Sequence, residues 1–574
     1  MSIYKSCASP VLLLLVSGLL ACQSSTETGK NAQAPEPTPV VLASDQELEE
    51  VMVAGAKREG VMHPRAMAKV QADMLISRPF PEPHYLPEEQ DREHYRGPDD
   101  NPIRSVLEHP MSTFSIDVDT AAYANVRRMI LREGRLPPKE AVRVEEMVNY
   151  FQYRYPKPKS PEQAFAIDTE LSASPWNDNK YLMRIGLQGY ENDLDERPAS
   201  NLVFLVDVSG SMQSKDKLPL LKRSLLMLLD KLDERDSVSL VVYAGAAGVV
   251  LPPTKISEKL KIRDAINALE AGGSTHGSAG IKLAYEQAQS AFIQDGINRV
   301  IIASDGDMNV GITDIDQLKS LIERKRESGI ALTTLGFGSG NYNDALMEEL
   351  ANVGNGNSAY IDSMKEAYKV LVQQMNATLH TIASDVKIQV EFNPDQVSEY
   401  RLVGYENRLL NREDFNNDKV DAGDIGMGHQ VTAIYEISVK GQGSLPERRY
   451  GKQATRHELS KKPPVAEDKS RELAYIKLRY KPAHGEASRL IEKIVHTDTL
   501  STDFNKASNE HRFAVSVAEF AQRLRGGQRI NKGSMQALIE QLRNSRGEDR
   551  FSYRGELINI AELAASIDQQ IALQ

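Results

Sequence analysis

Asp207, Ser209 and Ser211 alternate along Asp-Val-Ser-Gly-Ser, directly after the unbroken apolar run 202–206. One carboxylate and two hydroxyls at this spacing are hard oxygen donors, suited to Mg²⁺, Mn²⁺ or Ca²⁺ rather than to soft metals. Two later stretches carry compatible groups. Gly272-Gly273-Ser274-Thr275 follows about 65 residues on, and Ser304-Asp305-Gly306 closes the apolar string 300–303. Neutral hydroxyl ligands cancel little of a divalent ion's charge, and Mg²⁺ keeps several waters, so a position stays open for an incoming acidic group.

Such a site needs elements that bring the three stretches to one place. Residues 202–206, 238–243, 300–303 and 331–337 read as buried strands. Between and after them, 218–232, 256–269, 279–293, 315–326, 345–353 and 366–382 read as helices. This alternation implies a mainly parallel sheet wrapped by helices, with ligands beyond the carboxyl ends of the strands. On either side the period changes to two. Residues 165–171, 181–187, 386–392, 431–439 and 474–480 alternate as antiparallel strands do. The strands before the α/β region are expected to pair with those after it, making the α/β domain an insertion in one β domain. Helices are expected at 121–132 and 140–151. Beyond 485 the pattern is again helical, with an apolar stripe of Phe513, Val517, Phe520, Ala521 and Leu524.

The chain has 574 residues, 41% hydrophobic and 26% charged, with a net charge of −11. That length implies roughly three to four domains. The acidic balance argues against nucleic acid as a partner. Residues 1–22 combine Lys5, a short apolar segment from Val11 to Ala21, and Cys22. The segment is too short to span a bilayer and fits a signal-peptide core. Leu19-Leu20-Ala21-Cys22 resembles a bacterial lipobox, with Cys22 as the lipidated residue. The other cysteine, Cys7, would leave with the signal. Gln23 in place of Asp implies sorting to the outer membrane. Residues 23–105 read as a disordered tether. Within it, residues 48–55 resemble the segment that opens the plug of TonB-dependent receptors. The expected divisions are thus 1–22 signal, 23–105 tether, 106–195 N-terminal segment, 196–385 α/β domain, 386–485 β-rich domain and 486–574 helical region.

The D-x-S-x-S string at 207–211, Thr275 and Asp305 together resemble the metal-ion-dependent adhesion site of the von Willebrand factor type A domain. That resemblance implies a Rossmann-like α/β fold inserted in or next to an antiparallel β-sandwich-like domain. It implies Mg²⁺ (or Mn²⁺ or Ca²⁺) held by the hydroxyls of Ser209, Ser211 and Thr275, with Asp207 and Asp305 close by, usually through water. Several further strings resemble the YfbK-like bacterial lipoproteins. They are Phe114-Ser115-Ile116-Asp117-Val118-Asp119-Thr120, Arg143 to Phe151, Asp385 to Pro394, Gly404 to Arg408, Asp414 to Asp418 and Arg512 to Val515. Two positions depart from the adhesion-site pattern: His276 stands where Asn is expected, and Ser304 where Thr is commoner.

Competing sites fail on their own residues. The string from Asp414 has Lys419 where a calcium loop needs Gly and Ile425 where it needs Glu. Ser278 stands where a phosphate-binding loop needs Lys. No nucleophile elbow surrounds Ser209 or Ser211, and no H-E-x-x-H occurs. The expectation is therefore a non-enzymatic, membrane-anchored protein of the cell envelope. Its metal would capture an Asp or Glu side chain of another envelope protein. The alternatives are a metal-dependent hydrolase with Asp305 as base, or a structural module with a purely stabilising metal.

Overall fold

In chain order the first strands are β1 (Arg104–Ser105), β2 (Met111–Ser115), β3 (Phe165–Ala173) and β4 (Tyr181–Gly189). Next come β5 (Ser200–Asp207), β6 (Ser237–Tyr243), β7 (Ala247–Lys255), β8 (Ile297–Ser304), β9 (Ala331–Phe337) and β10 (Ser358–Ile361). The last group is β11 (Thr381–Phe392), β12 (Val397–Val403), β13 (Leu409–Leu410), β14 (Ile425–Gly426), β15 (Gln430–Val439), β16 (Glu472–Pro482), β17 (Arg489–His496) and β18 (Leu500–Ser501). The computed structural model describes residues 92–573 except 98, 161, 192–197, 274–276, 307–314, 376, 378–379, 419, 421, 447–468 and 483–486. The chain divides into Met1–Leu86 and Pro87–Gln574, and the described residues belong to the second unit. The signal segment with Cys22, residues 48–55, Thr275 and His276 lie outside the described residues.

The middle strands form one sheet in the order β10-β9-β8-β5-β6-β7, parallel except for β7. β5 is buried along its whole length because it is central and covered on both faces. Leu202, Phe204 and Val206 point to the helix Leu218–Leu229, while Val203 and Leu205 point to the helix Gly277–Ser290. Each such side chain is worth about 1.5–3 kcal/mol on burial. β7 escapes a periodicity reading because Pro252 and Pro253 interrupt it, which an edge strand tolerates.

The flanking strands form a sandwich around this insertion. One sheet runs β1-β12-β15-β4-β3-β18, the other β13-β2-β11-β16-β17 with β14 on β11. β4 pairs antiparallel with β15, Ile185 opposite Ala433, and β2 pairs with β11, Phe114 opposite Ile388. The strands before and after the α/β domain thus share both sheets, as the sequence pattern predicts. Their inner faces meet in a core containing Phe114, Met183, Ile185, Ile388, Val390 and Tyr435. The opposite face of the first sheet, with Leu182, Val403 and Ile434, is covered by helices from both ends of the chain. These include Ala121–Leu131, Val144–Asn149 and Asn509–Leu524. Phe513, Val517, Phe520 and Ala521 from the predicted stripe are fully buried there.

Five expectations are corrected. The tether does not extend to 105: the Glu93 side chain and Asn101 are buried, and Asn101 Nδ2 donates to the carbonyls of Leu402 (3.0 Å) and Gly404 (2.7 Å). Hydrophilic composition conceals this because the buried groups are polar and partnered. The region from 486 is not helical throughout. β17 occupies Arg489–His496, where Leu490, Ile491, Ile494 and Val495 mimic a helical spacing on a half-exposed edge strand. The division at 385 cuts through β11, and the helix expected to reach 382 passes into a π turn at Lys369–Gln373, bends at Gln374 and gives way to β11 from Thr381. The helix expected at 140–151 is a 3₁₀ turn, Lys139–Ala141, followed by the helix Val144–Asn149.

Candidate metal centre

β5 ends where its apolar run ends. Asp207 lies opposite Tyr243 of β6, and the Val208 N–H donates to the Tyr243 carbonyl at 3.0 Å. The chain therefore stays in sheet register one residue past the carboxylate. Ser209 then turns, its N–H donating to Asp207 Oδ1 at 2.9 Å, and a 3₁₀ turn follows at Gly210–Gln213. Ser209 Oγ and Ser211 Oγ are 3.0 Å apart. Ser209 is buried and Ser211 exposed, so the hydroxyl pair leads from the interior to the surface.

β8 runs parallel beside β5 and delivers Ser304, Asp305 and Gly306 to the same edge. Ser304 Oγ donates to Asp207 Oδ2 at 3.0 Å and accepts from the Gly306 N–H at 3.0 Å. Gly306 has φ +82°, and a Cβ there would lie 2.5 Å from the Asn343 nitrogen, so glycine is required. Asp305 is fully buried. Four of the five expected ligands, Asp207, Ser209, Ser211 and Asp305, are thus gathered by two adjacent strands. The loop leading toward Thr275 is fastened to the Ser209 turn: Gly272 N–H donates to the Val208 carbonyl at 2.7 Å and Gly210 N–H to the Gly273 carbonyl at 3.0 Å.

Burial pushes the Asp207 carboxyl up to about 6, and repulsion from Asp305 adds to this, while hydrogen bonds from Ser209 and Ser304 oppose it. Two buried carboxylates beside two hydroxyls form an all-oxygen donor set, which fits a hard divalent cation.

Sequence reasoning missed two residues here. Lys217 Nζ donates to Asp305 Oδ2 at 3.0 Å and to Asn341 Oδ1 at 2.8 Å, and Asn341 Nδ2 donates to the same Asp305 oxygen at 3.1 Å. Lys217 directly precedes the helix Leu218–Leu229 and is buried. Its sequence context gives no sign of this role. Asn341 comes from the loop after β9, whose Gly338-Ser339-Gly340 string was the available signal. The N-terminal edge of the described chain holds that loop. Arg92 N–H donates to the Gly340 carbonyl (2.9 Å), His94 N–H to the Tyr342 carbonyl (3.0 Å), and Glu93 Oε1 accepts from the Gly340 N–H (2.9 Å). Glu93 is itself paired with Arg128 at 2.8 Å.

Comparison with known proteins places several stretches of this sequence in named families. Residues 201–395 match the von Willebrand factor type A domain, and residues 89–184 a segment described as von Willebrand factor. Residues 377–567 match the C-terminal region of the uncharacterized protein YfbK. YfbK of Escherichia coli K12 is 45% identical over 480 residues, which cover 82% of this chain and 81% of that one. Human inter-alpha-trypsin inhibitor heavy chain H3 is 24% identical, covering 44% of this chain and 30% of its own. A solved structure titled von Willebrand factor type A from Catenulispora acidiphila covers 70% of this chain and 91% of its own, at 15% identity and a TM-score of 0.38. With the α/β insertion, its flanking sandwich and its C-terminal helices all accounted for, the chain belongs to the YfbK family.

Proposed function

We propose that this protein is a metal-dependent binding protein of the cell envelope, which captures an acidic side chain of a partner protein at the edge formed by β5 and β8. The observation that carries the reading is the run from buried Asp207 through buried Ser209 to exposed Ser211, with the two hydroxyls 3.0 Å apart. Von Willebrand factor type A domains serve mainly as interaction modules, which agrees with this. Asp207, Ser209, Ser211, Thr275 and Asp305 would hold Mg²⁺, or Mn²⁺ or Ca²⁺ in its place. When bound, the ion supplies a positive coordination point for an oxygen ligand. Asp207 and Ser304 fix the inner side of the site, and Ser211 presents the outer side. Asp305 Oδ2 already accepts from Lys217 and Asn341, which favours a positioning role over that of a general base. No helix among the described residues is long and apolar enough to cross a membrane. Anchoring at the outer membrane is assigned to a lipid on Cys22.

The test is capture of a partner from envelope extracts by the full chain, in Mg²⁺ and in chelator, beside Asp207→Ala and Ser211→Ala. Capture that needs Mg²⁺ and is lost in both variants supports the reading. Capture unchanged in chelator overturns it. Metal-dependent melting without metal-dependent capture would instead indicate a stabilising ion, and phosphoester turnover lost in Asp305→Asn a hydrolase. Labelling of the envelope with a palmitate analogue, compared between the wild type and Cys22→Ala, tests the anchor.

A further inference from the structure

A second cleft lies away from the metal centre, between the segment Tyr150–Arg154, the end of the α/β domain and the turn that opens the last helix. Its volume is about 280 Å³. That is near the lower limit for small-molecule sites and suits a single-ring ligand. The helical segment after Met364 changes to a π turn at Lys369–Gln373, a local widening that recurs at functional sites. Both ends of that turn line the cleft.

Lys369 is only 3% exposed. Its ammonium donates to the Tyr150 carbonyl at 2.8 Å and lies 2.9 Å from the centre of the Tyr150 ring. Among the described residues no carboxylate lies within ion-pair distance of it. Burial pulls this group down to about 7; Glu366 and Glu556 oppose the shift, while the Arg127 and Lys365 charges add to it. Gln373 Oε1 accepts from the Tyr553 hydroxyl at 2.9 Å, which leaves its Nε2 a buried donor with no acceptor among the described residues. Such an unmet donor is destabilising unless something accepts from it.

The acids of the cleft are already engaged. Glu510 accepts from Arg154 (3.3 Å) and Arg554 (2.5 Å). Asp549 accepts from the N–H groups of Arg554 (3.1 Å) and Gly555 (2.8 Å), and Glu548 lies 3.5 Å from Arg154. With Lys369 and Arg550 counted, four basic side chains line the cleft beside three acidic ones. The walls add Tyr153, Tyr553 and Phe551, the last 39% exposed at the rim, where Arg550 lies 5.3 Å from its ring centre.

We propose that this cleft binds a small aromatic carboxylate, its anionic end on Lys369 and Gln373 Nε2 and its ring between Tyr153, Phe551 and Tyr553. The carboxylate would supply the missing acceptor and counter-charge together, and the ring would cover the exposed aromatic rim. The proposal does not depend on the metal centre.

Calorimetric titration of the full chain in chelator, with benzoate, benzyl alcohol and inorganic phosphate as probes, tests it. Benzoate is expected to bind saturably and at least tenfold more tightly than either other probe. Lys369→Met should weaken benzoate at least tenfold and Gln373→Ala several-fold. Absence of saturation by benzoate, equal binding of benzyl alcohol, or tighter binding of phosphate overturns the proposal. So does unchanged benzoate affinity in a folded Lys369→Met protein. Should that variant not fold, Phe551→Ala decides on a partly exposed side chain: at least threefold weaker binding supports the assignment, and unchanged binding rejects it.

Discussion

The Lys217 ammonium sits 3.0 Å from Asp305 Oδ2, so the carboxylate at the end of β8 carries a cation of the protein's own. Lys217 and a divalent ion would therefore compete for the same negative charge. A unit charge and a divalent ion about 5 Å apart repel by roughly 7 kcal/mol at an effective dielectric of about 20. Lys217→Met is expected to tighten Mg²⁺ binding at least tenfold, which corresponds to about 1.4 kcal/mol or more. Titration of both proteins with Mg²⁺ checks this. Equal or weaker binding by the variant would mean that Lys217 does not oppose the metal.

Gly338 holds Lys217 in place from the other side. Its φ is +77°, and a Cβ there would lie 2.2 Å from Lys217 Cε. Gly340, two residues on, has φ +88° with nothing within 4 Å of the same position. Alanine at either site carries the left-handed backbone strain of about 1 kcal/mol. Gly338→Ala should cost at least about 1 kcal/mol more than Gly340→Ala, because it also dislodges the lysine. Urea unfolding followed by the emission of Trp176, the single tryptophan and fully buried, measures the difference.

Arg127 joins three parts of the chain. It pairs with Asp362, with Glu366 at 2.8 Å and with Glu556 at 3.1 Å, and the Tyr150 hydroxyl accepts from it at 2.9 Å. Asp362 and Glu366 are 4% and 1% exposed, so Arg127→Ala leaves two buried carboxylates without their main cation. The expected loss is about 3–5 kcal/mol. Glu556→Gln, at the more open end of the cluster, should cost much less. Equal losses would show that the inner pairs carry no special weight.

His511 fastens the helix Asn509–Leu524 to β3, with its Nε2 2.9 Å from Ser172 Oγ. Burial, with the Arg184 charge adding, lowers this imidazole to about 3, so the folded protein holds it neutral. Between about pH 6.5 and pH 3 the unfolded chain takes up a proton that the folded chain refuses. Stability from this group is therefore complete above about pH 6.5 and falls as the pH drops, by at most about 1.4 kcal/mol per unit. His511→Gln should flatten that part of the stability profile relative to the wild type. Parallel profiles would exclude His511 as the source.

Much of the insertion was legible because its signals are local. An apolar run long enough for one strand, followed by Asp207 and Ser209, already places a carboxylate at a sheet edge. Ser304-Asp305-Gly306 repeats this one strand over. Lys217 and Asn341 were not legible, since crossover connections decide that they meet at Asp305. β17 was misread because a half-exposed edge strand needs no strict alternation, and residues 92–105 because their buried groups are polar. In each case the missing information lay in a long-range partner.

The insertion also sets a timetable. β4 ends at Gly189 and its partner β15 begins at Gln430, with the α/β domain between them. In a chain that emerges N-terminus first into the envelope, β4 is therefore exposed before any residue of β15. In that interval β3 and β4 can form no more than a hairpin, and until β11 emerges to pair with β2 their apolar face has no second sheet to meet. The α/β sheet has all its strands within Ser200–Ile361, so it can close on its own first and bring the two ends of the sandwich together. Until Val439 has emerged, the chain carries a finished domain with an exposed pair of strands behind it, and that interval is when it most needs a chaperone.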